Sequence, residues 1–85
     1  MNYYVYFIIS LKNSKIYVGL TSKDPNIRLE EHNLGANQFT KRNVPFRLVY
    51  FEKYECKECA MAREKFYKTG VGKRVKYAIV KEFNI

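Results

Sequence analysis

Two short apolar stretches near the N-terminus constrain the fold of this chain more than any other feature. They read YYVYFIIS at residues 3–10 and KIYVG at residues 15–19, and both alternate with a period of two. Side chains alternate between the two faces of a strand, and Asn13 and Ser14 supply turn chemistry between the stretches. The pattern therefore predicts a β-hairpin with two different faces. We expect a core face with Val5, Phe7, Ile9, Ile16 and Val18, and an opposite face with Tyr6 and Tyr17.

The segment after the hairpin predicts a helix followed by a loop. Asp24 and Pro25 are typical of a helix start, because an acidic cap and a fixed φ both suit the first turn. The helix should run to about Leu34, and Gly35 should end it. Residues 35–45 are rich in glycine, asparagine and proline, and we interpret them as a loop.

The second half of the chain predicts one more strand and two more helices. FRLVYF at residues 46–51 is typical of a strand, and residues 56–69 contain good helix formers. Gly70 and Gly72 should interrupt this helix, and residues 73–82 predict the last one. The predicted fold class is α/β, of the α+β type, with a three-stranded antiparallel sheet flanked by three helices in the order β-β-α-β-α-α.

The chain is strongly basic, and its 85 residues leave room for a single domain over residues 1–85. Sixteen Lys and Arg against eight Asp and Glu give a net charge of +8. Six cations and no acid lie from Lys65 to Lys81, which favours a polyanionic partner over a merely solubilising surface. A membrane surface would need a larger exposed hydrophobic face. The predicted contacts to the polyanion are Lys41, Arg42, Lys65, Lys68, Lys73, Arg74 and Lys76.

The N-terminal segment and the two cysteines bear on the cellular compartment and on zinc binding. No apolar run approaches the roughly 20 residues of a membrane-spanning helix, and the first ten residues do not resemble a signal peptide, so we expect a cytoplasmic protein. Cys56 and Cys59 form a C-x-x-C pair, but a zinc site needs about four ligands and the chain has one histidine. We therefore expect two reduced thiols on a helix and no zinc.

Two tripeptides on the predicted hairpin, Tyr4-Val5-Tyr6 and Tyr17-Val18-Gly19, resemble those that give the GIY-YIG nuclease superfamily its name. The resemblance continues into NIRLEEHN, which contains Arg28 and His32, and into AMAREK, which contains Glu64. It covers nearly the whole chain and is closest to the small members that consist of little more than the bare domain.

The resemblance implies metal-dependent hydrolysis of phosphodiester bonds in DNA, with one Mg²⁺ or Mn²⁺ ion. In this interpretation Tyr17 is the general base for water, and Glu64 binds the metal. Arg28 stabilises charge that develops on the phosphate. Tyr6 and His32 orient water and phosphate.

The chain departs from the family pattern at three places. Tyr4 replaces the first glycine, and Leu20 stands where some relatives have lysine. Many relatives also have a late asparagine, and here the corresponding region reads KTGVGKR, with Asn84 much further along. Two alternatives therefore stay open: a nucleic-acid-binding module without catalysis, and a basic domain that binds an acidic protein. The remaining tyrosines we assign to packing, namely Tyr50, Tyr54, Tyr67 and Tyr77.

Overall fold

The N-terminal hairpin forms as predicted and supplies two of the three strands of an antiparallel sheet. The structure is a computed structural model, and it describes residues 1–83. In chain order the elements are β1 (Tyr3–Ser10), β2 (Ile16–Thr21), α1 (Pro25–Asn33), α2 (Gln38–Lys41), β3 (Phe46–Tyr54), α3 (Lys57–Phe66) and α4 (Gly70–Phe83). The strand order is β2-β1-β3, so the first strand lies in the centre. The predicted α+β class and antiparallel sheet are confirmed.

The two faces of the sheet have the composition that the alternation predicts. Helices α3 and α4 cover the core face, where Ala60, Tyr67 and Val80 pack against the sheet. Tyr6 and Tyr17 lie on the other face, together with Ile8, Phe46 and Leu29 of α1. The buried residues that β1 and β2 contribute to the core face are Val5, Phe7, Ile9 and Val18, with Ile16 packed against them.

Residues 1–83 contain four helical elements where the sequence predicts three. The predicted loop contains α2, a single turn that begins because the Asn37 side chain accepts a hydrogen bond from the Phe39 backbone N–H at 2.8 Å. A turn of four residues has no hydrophobic periodicity, so the pattern that predicts longer helices does not detect it. Strand β3 is also longer than predicted and runs to Tyr54.

The prediction that Gly72 breaks a helix is wrong, because this glycine lies inside α4. A Cβ atom there would overlap the carbonyl group of Phe66, at the C-terminal end of α3. Glycine therefore permits the close approach of two successive helices. The hydroxyl of Thr69 accepts a hydrogen bond from the Gly72 N–H at 3.0 Å and caps the start of α4.

The side chain of Asn33 links helix α1 to the start of β3. The Asn33 amide donates to the Phe46 carbonyl at 3.1 Å and accepts from the Phe46 N–H at 2.7 Å. Both backbone groups at the start of β3 are thereby satisfied. This pair fixes the position of the helix that carries Arg28 and His32.

On the core face, one half-buried carboxylate collects the hydroxyl groups of three tyrosines. Glu52 accepts from Tyr50 at 2.8 Å, from Tyr54 at 2.6 Å and from Tyr67. The Arg63 guanidinium completes the set at 3.1 Å. Burial alone would raise the pKa of Glu52, but these hydrogen bonds outweigh burial and hold the pKa below its ordinary value. The assignment of these tyrosines to packing alone is therefore incomplete.

The two cysteines occupy the start of α3. Cys56 is the N-cap, just outside the helix, and its sulfur accepts from the Cys59 N–H at 3.2 Å. Both thiols are free and exposed. Through residue 83, no helix has the length and apolar composition needed to cross a membrane.

Replacing Glu52 with glutamine is expected to lower the free energy of unfolding by roughly 2 kcal/mol. The amide leaves Arg63 without its anion and offers one acceptor oxygen where the carboxylate offers two. The stabilisation by the carboxylate is fully present above its ordinary pKa of 4.5 and is lost as the pH falls through the lower value in the folded state. Denaturant unfolding followed by circular dichroism between pH 3 and 7 measures both effects.

The matched control is Glu55→Gln, which changes an exposed carboxylate just beyond the same strand. We expect this control to change stability by less than about 0.5 kcal/mol. Equal stabilities of the two variants would show that the network around Glu52 does not stabilise the fold.

Candidate active site

The first predicted site residue, Tyr6, is buried against a glycine of the neighbouring strand. Tyr6 is 1% exposed, and its register partner across the hairpin is Gly19. A Cβ atom on Gly19 would overlap the hydroxyl end of the Tyr6 ring and lie 2.8 Å from its Cε1 atom. The ring of Tyr6 therefore crosses β2 at the one position where the strand has no side chain. This contact is a physical reason for the glycine in the second tripeptide.

A chain of hydrogen bonds runs from Tyr6 through α1 to α2. The Tyr6 hydroxyl lies 2.7 Å from Nε2 of His32, and Nδ1 of His32 lies 2.8 Å from the Thr40 hydroxyl. The Thr40 hydroxyl in turn donates to the Asn37 carbonyl at 3.2 Å. His32 is 0% exposed, and burial, aided by the charge of Arg28, lowers its pKa to about 4.

The direction of these bonds follows from the neutral state of the imidazole. A neutral histidine has one N–H, and the Thr40 hydroxyl already donates its hydrogen bond to the Asn37 carbonyl. Nδ1–H of His32 therefore donates to Thr40, and Nε2 accepts the proton of the Tyr6 hydroxyl. This tautomer is assigned from the network. Each of the side-chain polar atoms of Tyr6, His32 and Thr40 then has a hydrogen-bond partner, as burial requires.

The second tyrosine, Tyr17, lies on the same face but closer to solvent. Its ring centroid is 5.2 Å from that of His32, in an edge-to-face arrangement. Its hydroxyl accepts a long hydrogen bond, 3.4 Å, from the Asn37 side chain. Tyr17 also lines a surface depression of about 250 Å³, together with Lys15, Phe39 and other residues. The two tyrosines thus have different environments, one enclosed and one beside an open depression.

Arg28 lies on α1, one helical turn before His32. Its guanidinium pairs with Glu31 at 3.0 Å, and Glu31 also pairs with Lys23. Burial raises the pKa of Tyr6 to about 12, although the positive charge of Arg28 opposes this shift. Tyr6 is therefore a neutral phenol at physiological pH.

Glu64 approaches this group from α3. Its carboxylate is half-buried and lies 3.7 Å from the Lys68 ammonium. The negative charge of Glu64 makes the smallest contribution to the rise in the Tyr6 pKa. The structure thus brings Tyr6, Tyr17, Arg28 and His32 together, and the charge of Glu64 acts on Tyr6 from α3. Their catalytic roles stay predictions.

The residues present fit a single hydrated cation better than a metal cluster. Within residues 1–83, no three His, Cys, Asp or Glu side chains are grouped as metal ligands would be. Glu64 is one carboxylate among cations, and Mg²⁺ commonly binds to proteins through one or two carboxylates while it keeps several waters. Asn84, the late asparagine noted in the sequence, lies outside the described residues.

Six of the seven predicted polyanion contacts are exposed, but Lys76 is not. It is 9% exposed and shares the face of α4 that also buries Gly72 and Val80. Burial and the neighbouring charge of Lys73 lower its pKa, and its ammonium lies 5.1 Å above the Tyr77 ring. We therefore expect no phosphate contact from Lys76. The exposed six are Lys41, Arg42, Lys65, Lys68, Lys73 and Arg74.

Sequence reasoning missed Asn37 and Thr40, which connect α2 to both tyrosines. Thr40 is buried, and Asn37 contacts Tyr17 through its amide. The available signal was the asparagine itself, which is a preferred N-cap residue in a segment that we interpreted as a loop.

Gly19→Ala is expected to lower the free energy of unfolding by about 1–3 kcal/mol, because the added methyl group forces the Tyr6 ring out of place. Gly70→Ala is the matched control, since a Cβ atom on Gly70 meets nothing within 4 Å. We expect the control to stay within about 1 kcal/mol of wild type. Denaturant unfolding checks both variants, and an unaffected Gly19→Ala would contradict the close packing of Tyr6.

The single histidine allows a direct test of its protonation. At pH 7, ¹⁵N NMR should show one protonated ring nitrogen, Nδ1, and the titration midpoint should lie near pH 4. Because the unfolded chain binds this proton near pH 6.5, the stability due to neutral His32 is complete above pH 6.5. It is lost as the pH falls towards 4. A midpoint near 6.5 would show that His32 is solvated.

Comparisons with known proteins agree with this geometry. Residues 2–78 match the GIY-YIG catalytic domain. A UPF0213 protein of Staphylococcus aureus strain Mu3 is 36% identical over 83 residues, which cover 96% of this chain and 99% of the relative. The UPF0213 protein SA0446 of strain N315 matches equally.

A solved structure is also similar. The solution NMR structure of the UPF0213 protein BH0048 from Bacillus halodurans has 32% sequence identity and a TM-score of 0.56. The match covers 93% of this chain and 85% of that one. With the hairpin, the tyrosine pair and the helix order already in place, these matches show that the chain belongs to the GIY-YIG catalytic domain family.

Proposed function

We propose that this chain is a metal-dependent endonuclease-type domain that hydrolyses phosphodiester bonds in DNA. The family supports a nuclease-type fold with a nucleic acid as substrate. The observation that carries the proposal is the difference in environment between two tyrosines on one face of the sheet. Tyr6 is enclosed and neutral, whereas Tyr17 borders an open depression.

In this proposal Tyr17 acts as its phenolate, takes the proton from the attacking water and becomes the neutral phenol. Its hydroxyl is the less enclosed of the two, and Asn37 holds it from one side. A general base needs access to water and a fixed orientation, and the position of Tyr17 offers both. The hydroxyl of Tyr6 is already committed to His32.

Tyr6 and His32 then act as positioning residues. Both are buried, so neither meets water or phosphate directly in this arrangement. They connect the hairpin, which carries Tyr17, to α1, which carries Arg28. This modifies the expectation from the resemblance, which had both residues orient water and phosphate themselves.

Arg28 and Glu64 supply the charges that phosphodiester hydrolysis needs. Arg28 stabilises negative charge on the phosphoryl oxygens in the transition state. Glu64 would hold one Mg²⁺ or Mn²⁺ ion, which supplies further positive charge at the phosphate and the leaving oxygen. Nucleic-acid binding before this step depends on exposed lysines and arginines and should weaken steeply with salt.

Glu64→Gln is expected to abolish Mg²⁺-dependent cleavage of nicked, branched or flapped DNA while DNA binding is retained. The amide preserves the shape of the side chain but removes the charge that would hold the cation. Glu58→Gln, on the same helix and exposed, is the matched control and should cleave as wild type does. Gel-based cleavage assays and fluorescence anisotropy measure the two properties separately.

Tyr17→Phe should reduce the cleavage rate by about 100-fold or more, the usual contribution of a general base. Tyr6→Phe should reduce the rate less but destabilise the fold by about 1–3 kcal/mol, because it leaves Nε2 of His32 without a partner. Full activity of Tyr17→Phe would exclude Tyr17 as the base. A wild type that binds DNA but never cleaves it with Mg²⁺ or Mn²⁺ would identify a binding module without catalysis.

A further inference from the structure

Helix α2 presents an exposed aromatic ring that the core does not use. Phe39 is 86% exposed, whereas its neighbour Thr40 is buried and hydrogen-bonded to His32. Asn37 caps the same turn through the Phe39 N–H. The backbone that carries the ring is therefore fixed to the candidate active site from both sides. The ring thus offers an exposed aromatic face at a fixed place beside the candidate active site.

Two surface depressions meet at Phe39. The larger, about 640 Å³, is lined by Gln38, Lys41 and Arg42 together with Phe39. The smaller, about 250 Å³, is lined by both Phe39 and Tyr17. A planar group that stacks on Phe39 within the smaller depression would therefore lie beside the tyrosine that we propose as the base.

The surroundings of this ring are cationic. The chain has no Asp or Glu before Asp24, and none from His32 to Phe51. The turn of the hairpin adds Lys12 and Lys15, and the Lys12 ammonium donates to the Arg42 carbonyl at 3.2 Å. The turn and the loop after α2 thus form one surface, with an aromatic ring among positive charges. Single-stranded nucleic acids are bound by this combination, since the ring stacks on a base and the cations contact phosphates.

We propose that Phe39 stacks on the base of an unpaired nucleotide, with Lys41 and Arg42 on the adjoining phosphates. The internal bases of a duplex are stacked on both sides, whereas an unpaired nucleotide can turn a free face to the ring. The preferred substrate would then be DNA with a single-stranded segment next to the scissile bond, such as a flap or a frayed end. This inference rests on the proposed function, because it names the class of DNA for the same site.

Tryptophan fluorescence tests the stacking directly, because the chain has no tryptophan. Phe39→Trp introduces one at the proposed site, and Glu55→Trp introduces one at an exposed position just beyond β3, outside the predicted polyanion contacts. Titration with a short oligothymidylate should quench the fluorescence of Phe39→Trp strongly and leave that of Glu55→Trp nearly unchanged. A blunt duplex of the same length should quench Phe39→Trp much less, since only its two terminal pairs expose a base face. Quenching of Glu55→Trp but not of Phe39→Trp would place the strand elsewhere and overturn the inference.

Binding strength gives a second readout that does not depend on cleavage. Phe39→Ala should weaken binding of a labelled oligothymidylate by about tenfold, the loss expected for one stacked base. Phe39→Tyr keeps an aromatic face and should bind as wild type does. The matched control is Leu34→Ala, since Leu34 is 87% exposed and lies at the end of α1. Equal binding by Phe39→Ala and wild type would overturn the inference.

Failure of this inference differs from failure of the proposed function. If wild type binds the oligonucleotide in a salt-dependent way but Phe39 substitutions change nothing, the stacking site is wrong and nucleic-acid binding stands. If no oligonucleotide or duplex binds even at low salt, both are wrong. If Phe39→Ala loses affinity for flapped DNA but not for an intact duplex, the preference for unpaired nucleotides is supported.

Discussion

The hydrogen bond between the Tyr6 hydroxyl and His32 connects the elements on which the candidate site depends. It joins the central strand to α1, and the second ring nitrogen of His32 continues the connection to α2 through Thr40. Both partners are buried, so water cannot replace either bond without a cost. The bond also requires Gly19, because the Tyr6 ring passes over β2 where any side chain would block it. The glycine of the Tyr17-Val18-Gly19 motif is thus explained by the packing of the Tyr6 ring.

The sheet carries a polar network on each of its faces, and the two differ in character. On the site face, His32 and Tyr6 are neutral, and no charge is enclosed among them. On the core face, Glu52 keeps its charge because Arg63 and three tyrosine hydroxyls surround it. Burial opposes ionisation in both networks, and the number of donors decides the outcome. The central strand therefore lies between one uncharged and one charged hydrogen-bond network.

Much of the fold can be predicted from the alternation and spacing of residues in the sequence. Period-two alternation, with one hydrophobic face of each strand assigned to the core, placed Tyr6 and Tyr17 on the same face. Spacing of four residues places Arg28 and His32 on one side of α1. Local geometry thus accounts for the faces on which these side chains lie. The choice of these residues, and of Glu64, came from the resemblance of the motifs to the family.

The features that sequence reasoning missed all depend on how one element of the fold packs against another. Helix α2 is too short for periodicity, and its place is set by Thr40 meeting His32. Gly72 was interpreted as a helix breaker, although its role is to let the end of α3 approach α4. Lys76 was counted among exposed cations, although the face of α4 that packs on the sheet includes it. In each case the sequence shows the residue but not the element that packs against it, and that element decides its role.

The ion pair between Glu52 and Arg63 has a geometrical consequence for the neighbouring residue of helix α3. Consecutive residues of an α-helix project about 100° apart, so a helix held at one residue has the direction of the next one set as well. Arg63 is held against the sheet, and Glu64 is the next residue. The contact between Glu52 and Arg63 thereby fixes the rotation of α3 about its own axis. The direction in which Glu64, the candidate metal ligand, projects is therefore set by residues of the core face.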